Sequence, residues 1–312
     1  MQPAALKKKL FRGRFLRGSL RELALLAALA ICIGLTATWL LPETAAAERS
    51  SSQTLKIGST TYTGKRDNIW EMLLNHLQVR LNAKCELVKA DDVNAIVAKL
   101  KSRQVQFVYL TPIDYLQAQR QAGVEGLAVQ VLPEGKPGYY AVLVAKKSSG
   151  IQTLDQAKGK KLGFVAQDSV SGFKIQAYAF LKERKQPASS FFSQTVFAGT
   201  HLKVLQGLQK GDFELGATNT KDLKNSCKIL GLDPAEFNII WQIGFIPESV
   251  FAARKDLPPD LKKAFANALF SLNQDKELLK ALNIGGYAKP QEADFSLIQK
   301  LDAFLQKNKL SY

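Results

Sequence analysis

Two serines one residue apart and followed by glycine, Ser169 and Ser171 before Gly172 in "DSVSGF", stand where a strand-like run gives way to a helix-like one. A helix start presents backbone N–H groups with no intrahelical acceptor and the positive end of the helix dipole, and hydroxyls add further donors. Gly172 lets the backbone approach a ligand closely. Such donors match a tetrahedral oxyanion without needing a full countercharge. The plainer reading is that one of the serines is a helix N-cap and nothing more. His201 follows Gly199 and Thr200 at the start of the next helix-like run, where its ring can donate to the same anion or serve packing alone. His76 lies on a helix-like run with no motif around it and reads as a surface or packing residue.

Catalysis is the reading these residues support least. Ser169, His201 and Asp222 supply the side-chain types of a nucleophilic triad, but no G-x-S-x-G elbow is present and nothing marks an oxyanion hole or a base geometry. A Walker loop, a dinucleotide fingerprint and metal-ligand spacing are all missing from the sequence, so no cofactor and no metal are expected. Beyond Cys32 the chain carries Cys85 and Cys227, which fall in different halves of the expected architecture and are read as two free, buried thiols.

The elements that must position these residues alternate along the chain. Strand-like runs begin at "LKIGST", "CELVKA", "VQFVYL", "GLAVQVL" and "GYYAVLVAKK". Between them, Asp67 to Leu81 has helical apolar spacing, Asp91 or Asp92 can cap a helix running to Lys101, and Pro112 opens another. The pattern restarts after Thr153: strand "KLGFVA", helix Ser171 to Lys185, strand "TVFAG", helix His201 to Lys210, strand "FELGAT", and a helix from near Lys221 to Gly231. "FNIIWQIG" is again strand-like, and the last third is mostly helical, with helices Pro259 to Leu272 and Phe295 to Gln306. Such alternation argues for an α/β fold with mostly parallel sheets. Length divides it into two lobes, 55–140 plus 247–312 and 141–246, with hinge strands at 141–147 and 241–247. Two strands joining two lobes make a clamp that holds ligand in its cleft.

Charge and the N-terminus bound where such a clamp works. Lys7, Lys8, Lys9, Arg12, Arg14, Arg17 and Arg21 precede the nearly charge-free run Leu23 to Leu41, the order of an export signal. Nineteen residues at about 1.5 Å each just span a hydrocarbon core of roughly 30 Å, so 23–41 can stay as an anchor in contact with the membrane. Alternatively Ala45-Ala46-Ala47 is a small-residue cleavage site, making 1–47 a signal peptide and 48–54 a linker. Cys32 is read as an ordinary residue of the apolar run. Either way the remainder is expected outside the cytoplasm. The net charge of +16 falls to +11 without 1–47, which holds seven Lys/Arg and two Glu. The lysines are scattered over amphipathic helices, not laid in a stripe with stacking aromatics, so nucleic acid is excluded and a field that draws in anionic solutes is favoured.

The ordered fragments "GYYAVLV" (138–144), "DSVSGFKIQ" (168–176), "GTH" (199–201), "GDFELGATNTKDL" (211–223) and "IPESVFAARKDLP" (246–258) resemble the phosphate/phosphite/phosphonate-binding (PhnD-like) proteins of ABC transporters, over most of 55–285. The resemblance implies a two-lobed periplasmic-binding-protein clamp of type II, monomeric, that delivers a small phosphorus oxyanion to an ABC permease. It implies ligand contacts from Ser169, Ser171, Gly172 and His201 in one lobe. From the other it implies Tyr139, Tyr62 in the "TYTGK" loop, and Thr111 of "YLTPIDY", which stands where the family usually has Gly and whose hydroxyl is expected to add a donor. Three departures bear on specificity. Val170 replaces the family's middle hydroxyl, and Lys221 and Ser249 occupy positions where binders of aminoalkyl phosphonates carry acidic residues, with Glu248 only adjacent. An ammonium ligand is therefore expected to bind poorly. A membrane-tethered sensor of the same fold, or a clamp for another small solute, are the competing readings.

Overall fold

The computed structural model describes residues 54–60, 67–308 and 310. The export segment, Cys32, the Ala45–Ala47 site, residues 48–53 of the linker and Tyr62 lie outside the described residues. Among the described residues no helix is long and apolar enough to cross a membrane.

The chain opens with β1 (Leu55–Ser59), α1 (Asp67–Leu81), β2 (Cys85–Lys89), α2 (Val93–Lys101), β3 (Phe107–Leu110), α3 (Pro112–Ala122) and β4 (Val124–Val131). Of the two candidate caps for α2, Asp92 takes the role, its carboxylate accepting the Ala95 N–H at 2.9 Å. The second sheet is built from β5 (Gly138–Lys146), β6 (Lys161–Phe164), β7 (Gln194–Phe197), β8 (Leu215–Asn219) and β9 (Phe237–Pro247). Its helices are α4, which runs through Val170–Lys174, Ile175–Ala179 and Phe180–Arg184, α5 (Ala188–Phe191), α6 (His201–Lys210) and α7 (Thr220–Leu230). The chain then returns with β10 (Val250–Arg254), α8 (Pro259–Ser271), α9 (Lys276–Leu282), β11 (Gly286–Ala288) and α10 (Ser296–Leu305).

The sheet orders are β11-β4-β10-β3-β1-β2 and β7-β6-β8-β5-β9. The expectation of mostly parallel sheets is corrected here. β1 pairs in parallel with β2 and β3, and β6 with β7 and β8, but β10, β11, β5 and β9 pair antiparallel with their neighbours. The reason is topological. A local strand–helix–strand unit returns its second strand in parallel, whereas a strand arriving from the other lobe needs no crossover helix and can enter in the opposite sense. β10 does so, inserting between β3 and β4 antiparallel to both.

The two passages between the sheets fall at 132–137 and at Glu248–Ser249, while the expected hinge strands are part of β5 and β9 and pair with each other. The passages are stitched together by the Glu248 N–H donating to the Pro137 carbonyl at 2.9 Å. Gly138 is required at this point, because a Cβ there would lie 2.3 Å from the Ile246 carbonyl oxygen. α10 does not rest on one lobe alone. It packs on α3 and on β9, with Asp302 paired to Arg120 of α3 and Phe304 against Tyr178 of α4.

The core divides in the same way. Under the first sheet Phe107 and Phe265 stack with ring centroids 3.7 Å apart, and His76 pins α1 to α8 by contacts of 2.9 Å to the Ala268 carbonyl and 3.0 Å to the Ser271 hydroxyl. Under the second, Phe164, Phe180, Phe191 and Phe192 fill the space beside α4. Cys85 and Cys227 are free and buried, and burial pushes the Cys85 thiol up to about 11. Phe265→Ala should lower stability by about 3–5 kcal/mol, the scale for removing a buried aromatic ring, as read by urea denaturation.

Candidate functional site

The turn from β6 into α4 builds the centre of the site. Ser169 is the N-cap, its hydroxyl accepting the Gly172 N–H at 3.1 Å, so both plain capping and ligand donation are open to it: the accepting lone pair is used, its proton is not. The first stretch of α4 is π-helical, closed by the Lys174 N–H on the Ser169 carbonyl at 3.0 Å, which widens the turn at its start. Gly172 fits because a Cβ there would lie 2.3 Å from the Val165 side chain. The N–H groups of Val170 and Ser171 belong to this first turn, where helix geometry provides no acceptor.

Ser171 is buried at 4% exposure and sits in a chain of polar groups. Asn219, which caps α7 through its oxygen to the Asp222 N–H, donates its amide to the Ser171 hydroxyl at 2.9 Å and to the Asp222 carboxylate at 2.7 Å. With a lone pair of Ser171 filled, the Ser171 proton is left to donate. Tyr139, expected from the other lobe, stands instead on β5 of the second sheet, near the same serine. His201 opens α6, with Nδ1 2.9 Å from the Thr218 hydroxyl and Nε2 3.5 Å from the Asp222 carboxylate. When the Thr218 hydroxyl donates to Nδ1, Nε2 carries the proton and faces Asp222. Gln176, fully buried, ties Val142, Ser171 and Thr218 by their carbonyls and so locks α4 to β5 and β8.

Electrostatics keep the cradle neutral in its own groups. Burial, helped by Lys221 and opposed by Asp222, lowers the His201 pKa below its ordinary value, so the ring is uncharged near neutrality. Burial, followed by the nearby Glu248 and Asp222 charges, raises that of Tyr139 well above the phenol range, so it stays a hydroxyl donor.

Between the lobes runs a cleft of about 490 Å³. One wall carries Trp70, Leu73, Tyr109 and Tyr287 of the first lobe, the other Lys221, Asp222, Lys224 and Asn225 of α7, and both passages line it through Glu134, Glu248 and Ser249. Glu248, 5% exposed, takes the Lys221 ammonium at 2.5 Å, and that ammonium also lies 4.8 Å from the centroid of the Tyr139 ring. Lys224 pairs with Glu134 at 3.5 Å. Glu248 lines the cleft together with Ser249.

Thr111 does not supply the expected donor. It is the N-cap of α3 and gives its proton to Asp114 at 2.8 Å, because a capping hydroxyl beside a carboxylate is already committed. That turn nevertheless faces α4: Ile113 and Val170 join one apolar cluster, and Lys174 acts electrostatically on Asp114. Val170, lacking a hydroxyl, spends its side chain on this packing. Sequence reading passed over Asn219, Thr218 and Gln176 as site residues. Of these only Asn219 carried a signal, the N-x-x-D capping spacing before α7.

Comparisons with known proteins place these observations. The sequence pattern of the family described as "ABC transporter, phosphonate, periplasmic substrate-binding protein" matches residues 59–295. The chain is 25% identical over 268 residues to the phosphonates-binding periplasmic protein of Escherichia coli K12, covering 85% of this chain and 79% of that one. It is 28% identical over 214 residues to the phosphate-import protein PhnD of Mycolicibacterium smegmatis, covering 63% and 65%. In structure it resembles a binding protein component of a Pseudomonas aeruginosa ABC phosphonate transporter (TM-score 0.61, 19% identity, 81% and 86% covered). It likewise resembles PhnD1 of Prochlorococcus marinus, solved with methylphosphonate (TM-score 0.63, 18% identity, 82% and 99% covered).

The depressed His201 pKa has a sign that can be measured. Above the ordinary value of 6.5 the ring is neutral folded or unfolded; below it the unfolded chain takes up the proton first. Stability of the ligand-free protein should therefore fall as pH drops below about 6.5, and His201→Gln should flatten that part of the profile in denaturant titrations run from pH 8 to 5.

Proposed function

The chain belongs to the family of periplasmic substrate-binding proteins of phosphonate ABC transporters, and on that premise we propose that it captures phosphite, phosphate or a phosphonate between its lobes and hands it to an ABC permease. Its two-sheet α/β fold is that of type II periplasmic binding proteins. Family membership puts its work outside the cytoplasm, and its relatives are solute-binding transport proteins, not enzymes. Residues 1–47 direct export in this reading, and the protein acts as a monomer.

The observation that supports the reading is a chain of polar groups at the start of α4: the Ser169 cap, the buried Ser171 that Asn219 contacts, and Asp222, which Asn219 and His201 both contact. The anion docks first on this helix end. Residues 55–137 with 248–312 then close against 138–247 about the two passages, adding the loop that holds Tyr62. Closure removes water, which strengthens charge-assisted hydrogen bonds. Lys221 and Ser249 set specificity. The Lys221 ammonium is already paired with Glu248, so a ligand amine meets a like charge there.

A thermal-shift screen of phosphate, phosphite, methylphosphonate, 2-aminoethylphosphonate, sulfate and thiamine tests this. A true ligand at 100 times its dissociation constant should stabilise by about 2.7 kcal/mol, and 2-aminoethylphosphonate should trail the uncharged-substituent anions. No response to any phosphorus anion would sink the reading. For the anion that binds, Ser171→Ala and His201→Ala should each weaken calorimetric affinity by about 1.5–3 kcal/mol, the range for a hydrogen bond to a charged group. Unchanged affinity in both would move the pocket elsewhere.

A further inference from the structure

We propose that the ligand is a phosphonate or phosphate monoester whose substituent is uncharged, largely apolar and about the size of an aromatic ring. This rests on the reading of the cradle as a phosphorus-oxyanion site and adds the class of molecule to which that oxyanion belongs.

The first ground is size. A tetrahedral anion takes the room of roughly three water molecules at about 30 Å³ each. The cleft holds about 490 Å³, within the roughly 300–1,000 Å³ range of sites that enclose organic molecules. The cavity adjoins the cradle through Asp222, which lines the cleft and contacts both Asn219 and His201. A substituent on an oxyanion held beside Ser171 would extend toward this space.

The second ground is the character of the wall. On the first-lobe side stand Trp70, Leu73, Tyr109, Ile284 and Tyr287. They are held rigid: the Tyr109 hydroxyl donates to Gln130 at 2.6 Å, and the Trp70 and Tyr109 rings meet edge to face at 5.6 Å. A preorganised aromatic and aliphatic wall favours a flat apolar group and gives a bare, strongly hydrated anion nothing.

The third ground is charge. Each lysine of the opposite wall is already satisfied, Lys221 by Glu248 at 2.5 Å and Lys224 by Glu134 at 3.5 Å. A second charge on the substituent would have to break one of these pairs, and a buried Glu248 left unpaired is costly. A neutral substituent leaves both intact.

Calorimetry on the full chain with methylphosphonate, phenylphosphonate and 2-aminoethylphosphonate separates the outcomes, because the three share one head group. Phenylphosphonate should bind at least about tenfold tighter than methylphosphonate, a difference of about 1.4 kcal/mol. Asn225→Trp places a bulky ring into the cleft from an exposed position of α7, where the fold tolerates it. It should abolish the phenyl preference by weakening phenylphosphonate at least about tenfold more than methylphosphonate. Equal or weaker binding of phenylphosphonate, or a phenyl preference that survives Asn225→Trp, overturns the inference while the proposed function stands. Binding of none of the three, nor of phosphate and phosphite, overturns the proposed function and this inference with it.

Discussion

A buried carboxylate must be paired, and much of this structure follows from how Glu248 meets that demand. It sits at the second passage between the sheets, where the chain leaves β9 for β10, and its partner Lys221 comes from the first turn of α7. The pair therefore ties the passage to the helix whose cap, Asn219, organises the cradle. Breaking it would leave an uncompensated charge in a closed space, a penalty of about 3–5 kcal/mol in comparable buried pairs. A salt bridge of this kind contributes less to net stability than to placement. It selects where α7 begins relative to the cleft, and so where Asn219 and Asp222 stand.

Under the proposed function an anion would be held without a cation. The polar groups at the start of α4 are tied to partners: Ser171 to Asn219, Asn219 to Asp222 and His201 to Thr218. Such second partners fix direction, and direction decides whether a hydroxyl is a donor or an acceptor. The aromatic wall across the cleft offers a different surface, apolar and without charge.

Much of the fold could be read in advance because its elements are local. The apolar spacing of α1, the Asp92 cap, Pro112 at the start of α3 and the Gly231 end of α7 are signals within a few residues of the structure they specify. The short helix α9 was not anticipated, since seven residues carry too little periodicity to stand out. The sense of the sheets was misjudged for a related reason. β10 reads as an ordinary strand, and only its partners, Leu110 on one side and Val129 on the other, reveal that it is inserted antiparallel between β3 and β4.

For the site the same division holds. The residue order by itself determined that Ser169, Ser171 and Gly172 open one helix and His201 the next, because caps and helix starts are written in contiguous residues. Tertiary structure alone decided that Glu248 is buried against Lys221, and that Trp70, Tyr109 and Tyr287 form one wall with α7 as the other. Those facts join residues dozens to more than two hundred positions apart. Hydrogen-bond direction and burial depend on what packs against a group, and no local pattern encodes a neighbour that arrives from the far end of the chain.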